Sequence, residues 1–253
     1  MNSYLQRAIK KLSAIFIQGF IFLPQYFLLK RKGQLGSRFN LSVRNLKPCL
    51  GDATATTGFD RHYVFHVSWA ARTLARTLPK EHVDISSSLF FSCCVSAFLP
   101  ITFIDYRPVK LNLPNLKERS GDLCKLTFSD NSLASLSCMH VVEHIGLGRY
   151  GDPLDYDGDI AACSELKRVL APGGRLLFVV PVGAKAIIMF NAHRIYTYSQ
   201  VVDMFDGLDV EEFSLIPEDP LDGGLVLWPS KELLARQFYG CGCFLFRKPQ
   251  SPT

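Results

Sequence analysis

The chain has 253 residues, 48% apolar and 20% charged, which suffices for one large domain with a buried core. That balance excludes a disordered or collagen-like chain. The net charge of +5 is unevenly spread: residues 1–51 carry nine basic and no acidic side chains, which leaves 19 basic against 23 acidic side chains from residue 52 onward, a net of −4.

Residues 1–50 read as a basic, apolar N-terminal arm and residues 60–250 as the folded domain. A basic arm suits an anionic membrane, a nucleic acid or an organellar import receptor. Within it, Leu12 to Leu29 is uncharged. As a helix it would reach roughly 27 Å, marginal for a bilayer. Gln18, Gly19, Pro24 and Gln25 weaken a spanning reading, Pro24 because it kinks or ends a helix. The segment lacks a small-residue cleavage site. It is a candidate for membrane contact, spanning or lying in the interface; the alternative is a helix packed on the protein's own surface. The domain is net acidic, so no nucleic-acid partner is expected.

Gly51 to Asp60 reads as a loop. His66 to Leu78 has helical spacing, with Ser68 as N-cap and Pro79 as stop. Strands and helices then alternate. His82 to Ile85 is a short strand ending on Asp84, and Leu89 to Leu99 an apolar helix. Ile101 to Ile104 is a second strand ending on Asp105, Leu116 to Arg119 a third before Gly121-Asp122, and Leu133 to Cys138 a fourth. A helix from Asp159, its N-cap, runs to Leu170 and stops at Ala-Pro-Gly-Gly; Arg175 to Val180 is a fifth strand, apolar enough to be buried on both faces. Thr197 caps a helix through Phe205, and Val210–Ile216 and Cys243–Arg247 form a closing antiparallel pair. The alternation predicts an α/β domain: a parallel sheet with helices on both faces.

Ligands bind beyond the carboxyl ends of such strands. Asp84, Asp105 and Asp122 fall there, in successive strand-to-helix turns. Carboxylates suit a nucleoside cofactor, since they accept hydrogen bonds from ribose hydroxyls and an adenine amino group. The bland alternative is solvated turn carboxylates. The eight cysteines show no CxxC pair, and Asp155 to Asp159 departs from a calcium loop at its glycine and twelfth positions, so no metal site is expected. Absence of GxGxxG after the first strand argues against a dinucleotide-dependent dehydrogenase.

Three stretches carry a resemblance: DLCKLTFSDNSLASL from Asp122, MHVVEHI from Met139 and ELKRVLAPGGRLLFVVP from Glu165. In order and spacing they resemble class I S-adenosylmethionine-dependent methyltransferases. HYVFHVSWAARTL, HVDIS, IDYRP and FNAHRIY extend the likeness to an uncharacterised methyltransferase-like family of nematodes and bacteria. The resemblance implies a Rossmann-like, seven-stranded sheet with a C-terminal antiparallel hairpin, S-adenosylmethionine as cofactor, and methyl transfer to an unidentified small-molecule, lipid or glycan acceptor. By position it puts Asp84 near the methionine end, Asp105 on the ribose, Asp122 and Leu123 beside the adenine, and His140 on the cofactor floor. Glu143, His144, Arg149 and Tyr150 follow on the acceptor side, with His193 facing the same cavity. Glu143, His144 and His193 are the candidate catalytic residues. His144 is the candidate general base, because an imidazole accepts a proton near neutral pH. A structural, hydrogen-bonded role is the alternative for each histidine. Gly146 to Gly158 is a candidate lid.

The departure from the family is the first loop. Where a glycine-rich turn is usual, this chain has Ser86-Ser87-Ser88. Ser86 still offers a backbone N–H and a hydroxyl to a cofactor, but its Cβ disfavours positive φ. The second reading is therefore a catalytically degenerate domain kept for binding or scaffolding.

Overall fold

Backbone hydrogen bonds and two opposed apolar faces organise the domain in this computed structural model, which describes residues 3–33, 39–107 and 109–250, with side chains from residue 16 onward. The chain divides into two units, residues 1–59 and 60–253. In the first, α1 (Ser3–Gly33) is one 31-residue helix with Lys30, Arg31 and Lys32 in its last turn. It runs through Pro24, which the sequence reading expected to kink or end it; proline costs one intrahelical hydrogen bond, and the flanking residues remain helical. Gln18 accepts a hydrogen bond from the Gly51 backbone, and buried Tyr26 donates to the Leu41 carbonyl. Among the described residues, no helix is long and apolar enough to cross a membrane. Phe16, Phe20, Leu23 and Phe27 are nevertheless exposed on α1.

The second unit opens with α2 (Arg61–Thr77), which starts five residues before the predicted helix. Asp60, not Ser68, is the N-cap: its carboxylate accepts from Tyr63 N–H at 3.2 Å. The buried face, His66, Trp69, Ala70, Thr73 and Leu74, follows helical spacing. Next come β1 (His82–Ile85), α3 (Leu89–Val95), β2 (Ile101–Asp105), β3 (Leu116–Ser120) and β4 (Leu133–Met139). Asp84 lies inside β1 rather than at its end. The α-helix of α3 stops at Val95, four residues short of the prediction. Then follow α4 (Gly158–Val169), β5 (Leu170–Val182), β6 (Ile187–Met189), β7 (His193–Ile195), α5 (Tyr198–Met204), β8 (Asp209–Ile216), β9 (Val226–Leu227), α6 (Lys231–Ala235) and β10 (Gly240–Arg247).

The strand order is β3-β2-β1-β4-β5-β10-β8-β9, with β6 and β7 as a separate hairpin. The first five strands pair in parallel and β10 runs antiparallel between β5 and β8, as predicted for the closing pair. The eighth strand is the two-residue edge β9, too short to leave a pattern in the sequence. In β5, Leu176, Phe178 and Val180 face one side and Leu177 and Val179 the other. The first set packs in one core with Ala162, Leu166, Val201 and Phe205 of α4 and α5. The second packs with Trp69, Leu74, Phe91 and Val95 of α2 and α3. Apolar side chains on both faces bury β5 from Leu176 to Val182, which explains the unbroken apolar run there. Trp69 Nε1–H and Arg76 both donate to Glu212, at 2.8 and 2.7 Å, tying α2 to β8.

The Glu165 to Pro181 motif has a physical reason. Arg168 donates to both Glu165 oxygens, to Asp130 and to the carbonyls of Leu126 and Phe128, so α4 holds the Phe-Ser-Asp turn before β4. Gly174 has no room for a side chain, since a Cβ would meet the Ala171 and Leu133 carbonyl oxygens at 2.7 and 2.9 Å. The predicted stop at Ala-Pro-Gly-Gly is therefore an irregular start of β5, with a register shift against β4. Asp159 is not the N-cap of α4. Asp157 occupies that position, and the Asp159 carboxylate accepts from the Tyr196 hydroxyl at 3.0 Å.

Candidate functional site

Two cavities meet at the carboxyl ends of the parallel strands. The first, of about 390 Å³, is lined by Ser86 after β1, Asp105 at the end of β2, Asp122 and Leu123 after β3, and His140 after β4. That volume is in the range of small-ligand pockets. Ser86 resolves the question raised by its missing glycine. It adopts φ 54°, the left-handed turn, and its hydroxyl donates to the Ile104 carbonyl at 3.0 Å. The side-chain bond offsets part of the roughly 1–2 kcal/mol that a non-glycine residue loses there. Asp105 and Asp122 each spend Oδ1 on a backbone N–H two residues on, those of Arg107 and Cys124. Such turns fix the carboxylates and leave Oδ2 to a ligand.

Asp84 is placed elsewhere. It is fully buried below the serine turn and accepts hydrogen bonds from Ser92, at 2.7 Å, and from Ser137. Burial raises its carboxyl to about 6, against the pull of the serine hydrogen bonds. The Ser87 hydroxyl accepts from Met139 N–H at 3.0 Å, so the turn is stitched to β4. Asp84 thus supports the cavity floor rather than lining it.

The predicted lid, Gly146 to Gly158, forms a wall of the first cavity. Asp152 accepts backbone N–H bonds from Gly146, Gly148 and Tyr150. Buried Arg194 donates to the carbonyls of Ile145, Asp155 and Tyr156 from the other side. Tyr150 stands between the two cavities, with Arg107 4.7 Å and Arg149 5.2 Å from its ring centre.

The second cavity, of about 620 Å³, shares His140, His144 and Tyr150 with the first. Four of the chain's six histidines line it: His62, His140, His144 and His193. All three candidate catalytic residues are there. His144 Nδ1 lies 2.7 Å from the Ala192 carbonyl, so it carries the proton and donates. Nε2 keeps its lone pair, 3.8 Å from Glu143 Oε1. Burial holds His144 below its ordinary 6.5, with Glu143 opposing. His193 is lowered the same way and stacks on Tyr239, ring centres 4.9 Å apart. Glu143 is buried; its Oε1 accepts from His140 Nδ1 at 2.7 Å, and burial raises the carboxyl to about 7. His140 itself is pushed down to about 4 by burial. Its φ of 56° is a left-handed turn directly after β4.

His62 and Tyr63 of α2, Tyr239 just before β10 and Cys241 within it carry no mark in the sequence that singles them out as site residues, apart from the spacing of His62 and His66 one helical turn apart in HYVFH. The helix prediction began at His66 and so left His62 outside it.

The fold has counterparts among known proteins. A family model described as Caenorhabditis protein of unknown function, DUF268, matches residues 125–223. A comparison with curated proteins finds no match. The N-methyltransferase NodS from Bradyrhizobium japonicum WM9, solved with S-adenosyl-L-homocysteine, aligns with a TM-score of 0.53 at 15% identity. The alignment covers 75% of this chain and 88% of NodS. The cyclase SpnF aligns with a TM-score of 0.51 at 14% identity, over 73% of this chain and 81% of its own. The fold is that of the class I methyltransferases. Within a class I methyltransferase fold, the cavity at the ends of β1, β2 and β4 lies where open α/β sheets bind ligands. SpnF is named a cyclase on the same fold, so the reaction must be argued from the site.

Proposed function

We propose that this protein transfers a methyl group from S-adenosylmethionine to an oxygen or nitrogen of a small-molecule, lipid or glycan acceptor. The observation that carries this reading is the pair of abutting cavities, one acidic at the strand ends and one rich in histidine, with His140, His144 and Tyr150 between them. The residues fit the cofactor: Ser86 makes the turn a glycine would make, and Asp105 and Asp122 each keep a carboxylate oxygen for a hydroxyl or amino donor. When bound, S-adenosylmethionine supplies an electrophilic methyl group. Asp105 would accept hydrogen bonds from the ribose hydroxyls, and Leu123 would cover the adenine beside Asp122. His140 and Tyr150 align the acceptor across the shared wall. His144 Nε2 accepts the acceptor's proton.

Titrating the full chain with S-adenosylhomocysteine is expected to give saturable heat at one site. No binding at millimolar ligand overturns the reading in favour of a degenerate domain. In turnover assays, His144 is base-competent only when neutral. Its protonation lies below 6.5, so activity should hold at pH 7 and fall as pH drops through that lowered value. An acid limb that persists unchanged in His144→Gln would remove His144 from the role.

The proposed partner of the arm is an anionic membrane surface, met in the interface rather than across the bilayer. Exposed Phe16, Phe20, Leu23 and Phe27 stand on the same helix as Lys30, Arg31 and Lys32. The full chain should sediment with phosphatidylserine vesicles and less with neutral ones. Equal recovery with and without vesicles refutes this.

A further inference from the structure

His62 and His140 line the second cavity, and the buried Cys241 lies behind His140. We propose that His62, His140 and Cys241 form a site for a zinc-type divalent transition-metal ion, with its fourth position open to that cavity. Their ligand atoms, one ring nitrogen from each histidine and the cysteine Sγ, all lie within 4.8 Å of one another. His140 Nε2 and Cys241 Sγ are 3.4 Å apart. A tetrahedral zinc ion, with bonds of about 2.0 Å to nitrogen and 2.3 Å to sulfur, holds such atoms roughly 3.5 Å apart. Two of the three ligands already stand at the spacing of a shared ion. The third, His62, sits half-buried in the first turn of α2, with its ligand nitrogen within 4.8 Å of the other two ligand atoms.

The surroundings separate a metal site from a plain thiol–imidazole hydrogen bond. His140 donates its other ring N–H to Glu143 Oε1 at 2.7 Å. A carboxylate behind a histidine is the usual way a metal-ligating ring is oriented. Glu143 Oε2 and His193 Nε2 are buried without a hydrogen-bond partner, and both residues line the cavity beside His62 and His140. A buried polar atom left without a partner calls for an explanation, and a bound ion is one. Two imidazoles and a thiolate select zinc-like ions over magnesium or calcium, which prefer oxygen.

Binding forms two metal–nitrogen bonds and one metal–sulfur bond. It breaks the Cys241 S–H bond, releases that proton to solvent and transfers no electron. The open fourth position takes water or an acceptor oxygen, as in catalytic zinc sites. The site stands whether or not the domain transfers methyl groups.

The test is a titration of the chelator-treated full chain with Co²⁺, with no methyl donor present. One equivalent should produce the visible bands of tetrahedral cobalt and a thiolate-to-cobalt charge-transfer band, and excess Zn²⁺ should bleach both. Cys241→Ser should abolish the charge-transfer band. His62→Ala, at a half-buried surface turn, should weaken Co²⁺ binding by about 100-fold. Exposed Cys94→Ser should leave the spectrum intact. A spectrum without charge transfer, or one unchanged in His62→Ala, overturns the site even if Cys241→Ser does not fold. Failure to bind S-adenosylhomocysteine bears on the methyl-transfer reading alone.

Discussion

Replacing Asp105 with Ala should weaken S-adenosylhomocysteine binding by roughly 10- to 150-fold, the loss of about 1.5–3 kcal/mol expected for hydrogen bonds to a charged acceptor. Asp105 ends β2, and its Oδ1 is fixed by Arg107 N–H at 2.7 Å. The carboxylate is thus held at the cavity wall and would meet a ligand without losing rotamer freedom, so its removal should cost more than that of an exposed turn Asp. The variant also loses the turn, so Asp105→Asn is the necessary companion. Its amide oxygen keeps the Arg107 bond while the charge is gone. Calorimetry should rank wild type above Asn and Asn above Ala. A change of less than about threefold in Asp105→Ala would show that the first cavity does not hold a ribose there.

Gly146→Ala should be the most destabilising of the conservative substitutions in the glycine loop, by roughly 3 kcal/mol. Two effects add. Gly146 has φ 78°, which an alanine adopts only at a cost, and a Cβ would stand 2.0 Å from the Asp155 carbonyl oxygen. That oxygen belongs to backbone held by Arg194, so it cannot swing away. The Gly146 N–H also carries one of the bonds to Asp152, so the wall between the cavities would shift. Gly151→Ala is the control: its φ is 84°, but nothing lies within 4 Å of its Cβ position. It should cost only about 1 kcal/mol. Thermal melting should separate the two variants by several degrees. Equal melting temperatures would mean that the Gly146 contact relaxes freely.

Much of the fold was legible because its signals are local. The apolar run of β5 announced a strand buried on both faces, and Thr197 announced the helix it caps, through a capping box with Gln200. Boundaries failed for two reasons. Asp60 rather than Ser68 caps α2, a local signal read past, and Asp159 looks like a cap but bonds the remote Tyr196. The candidate site divides the same way. Asp105 and Asp122 line the first cavity, where their strand-end positions put them, with Leu123 and His140, which the family resemblance had placed there, whereas Asp84 is turned into the core by Ser92 and Ser137.

The sequence by itself determined the alternation of strands and helices from β1 to β5, the parallel sheet with its closing antiparallel pair, and the acidic strand ends, but not the β6–β7 hairpin, β9 or α6. Periodicity, capping and turn chemistry are properties of neighbouring residues and can be read without a partner. Only the tertiary structure decided that Ser86 adopts the glycine turn, because the Ile104 carbonyl that steadies its hydroxyl is on the next strand. Only it brought His62, His140 and Cys241 together, with 101 residues separating the last two. Their proximity comes from α2 and β10 converging on the carboxyl end of β4, a long-range packing outcome that no local spacing encodes.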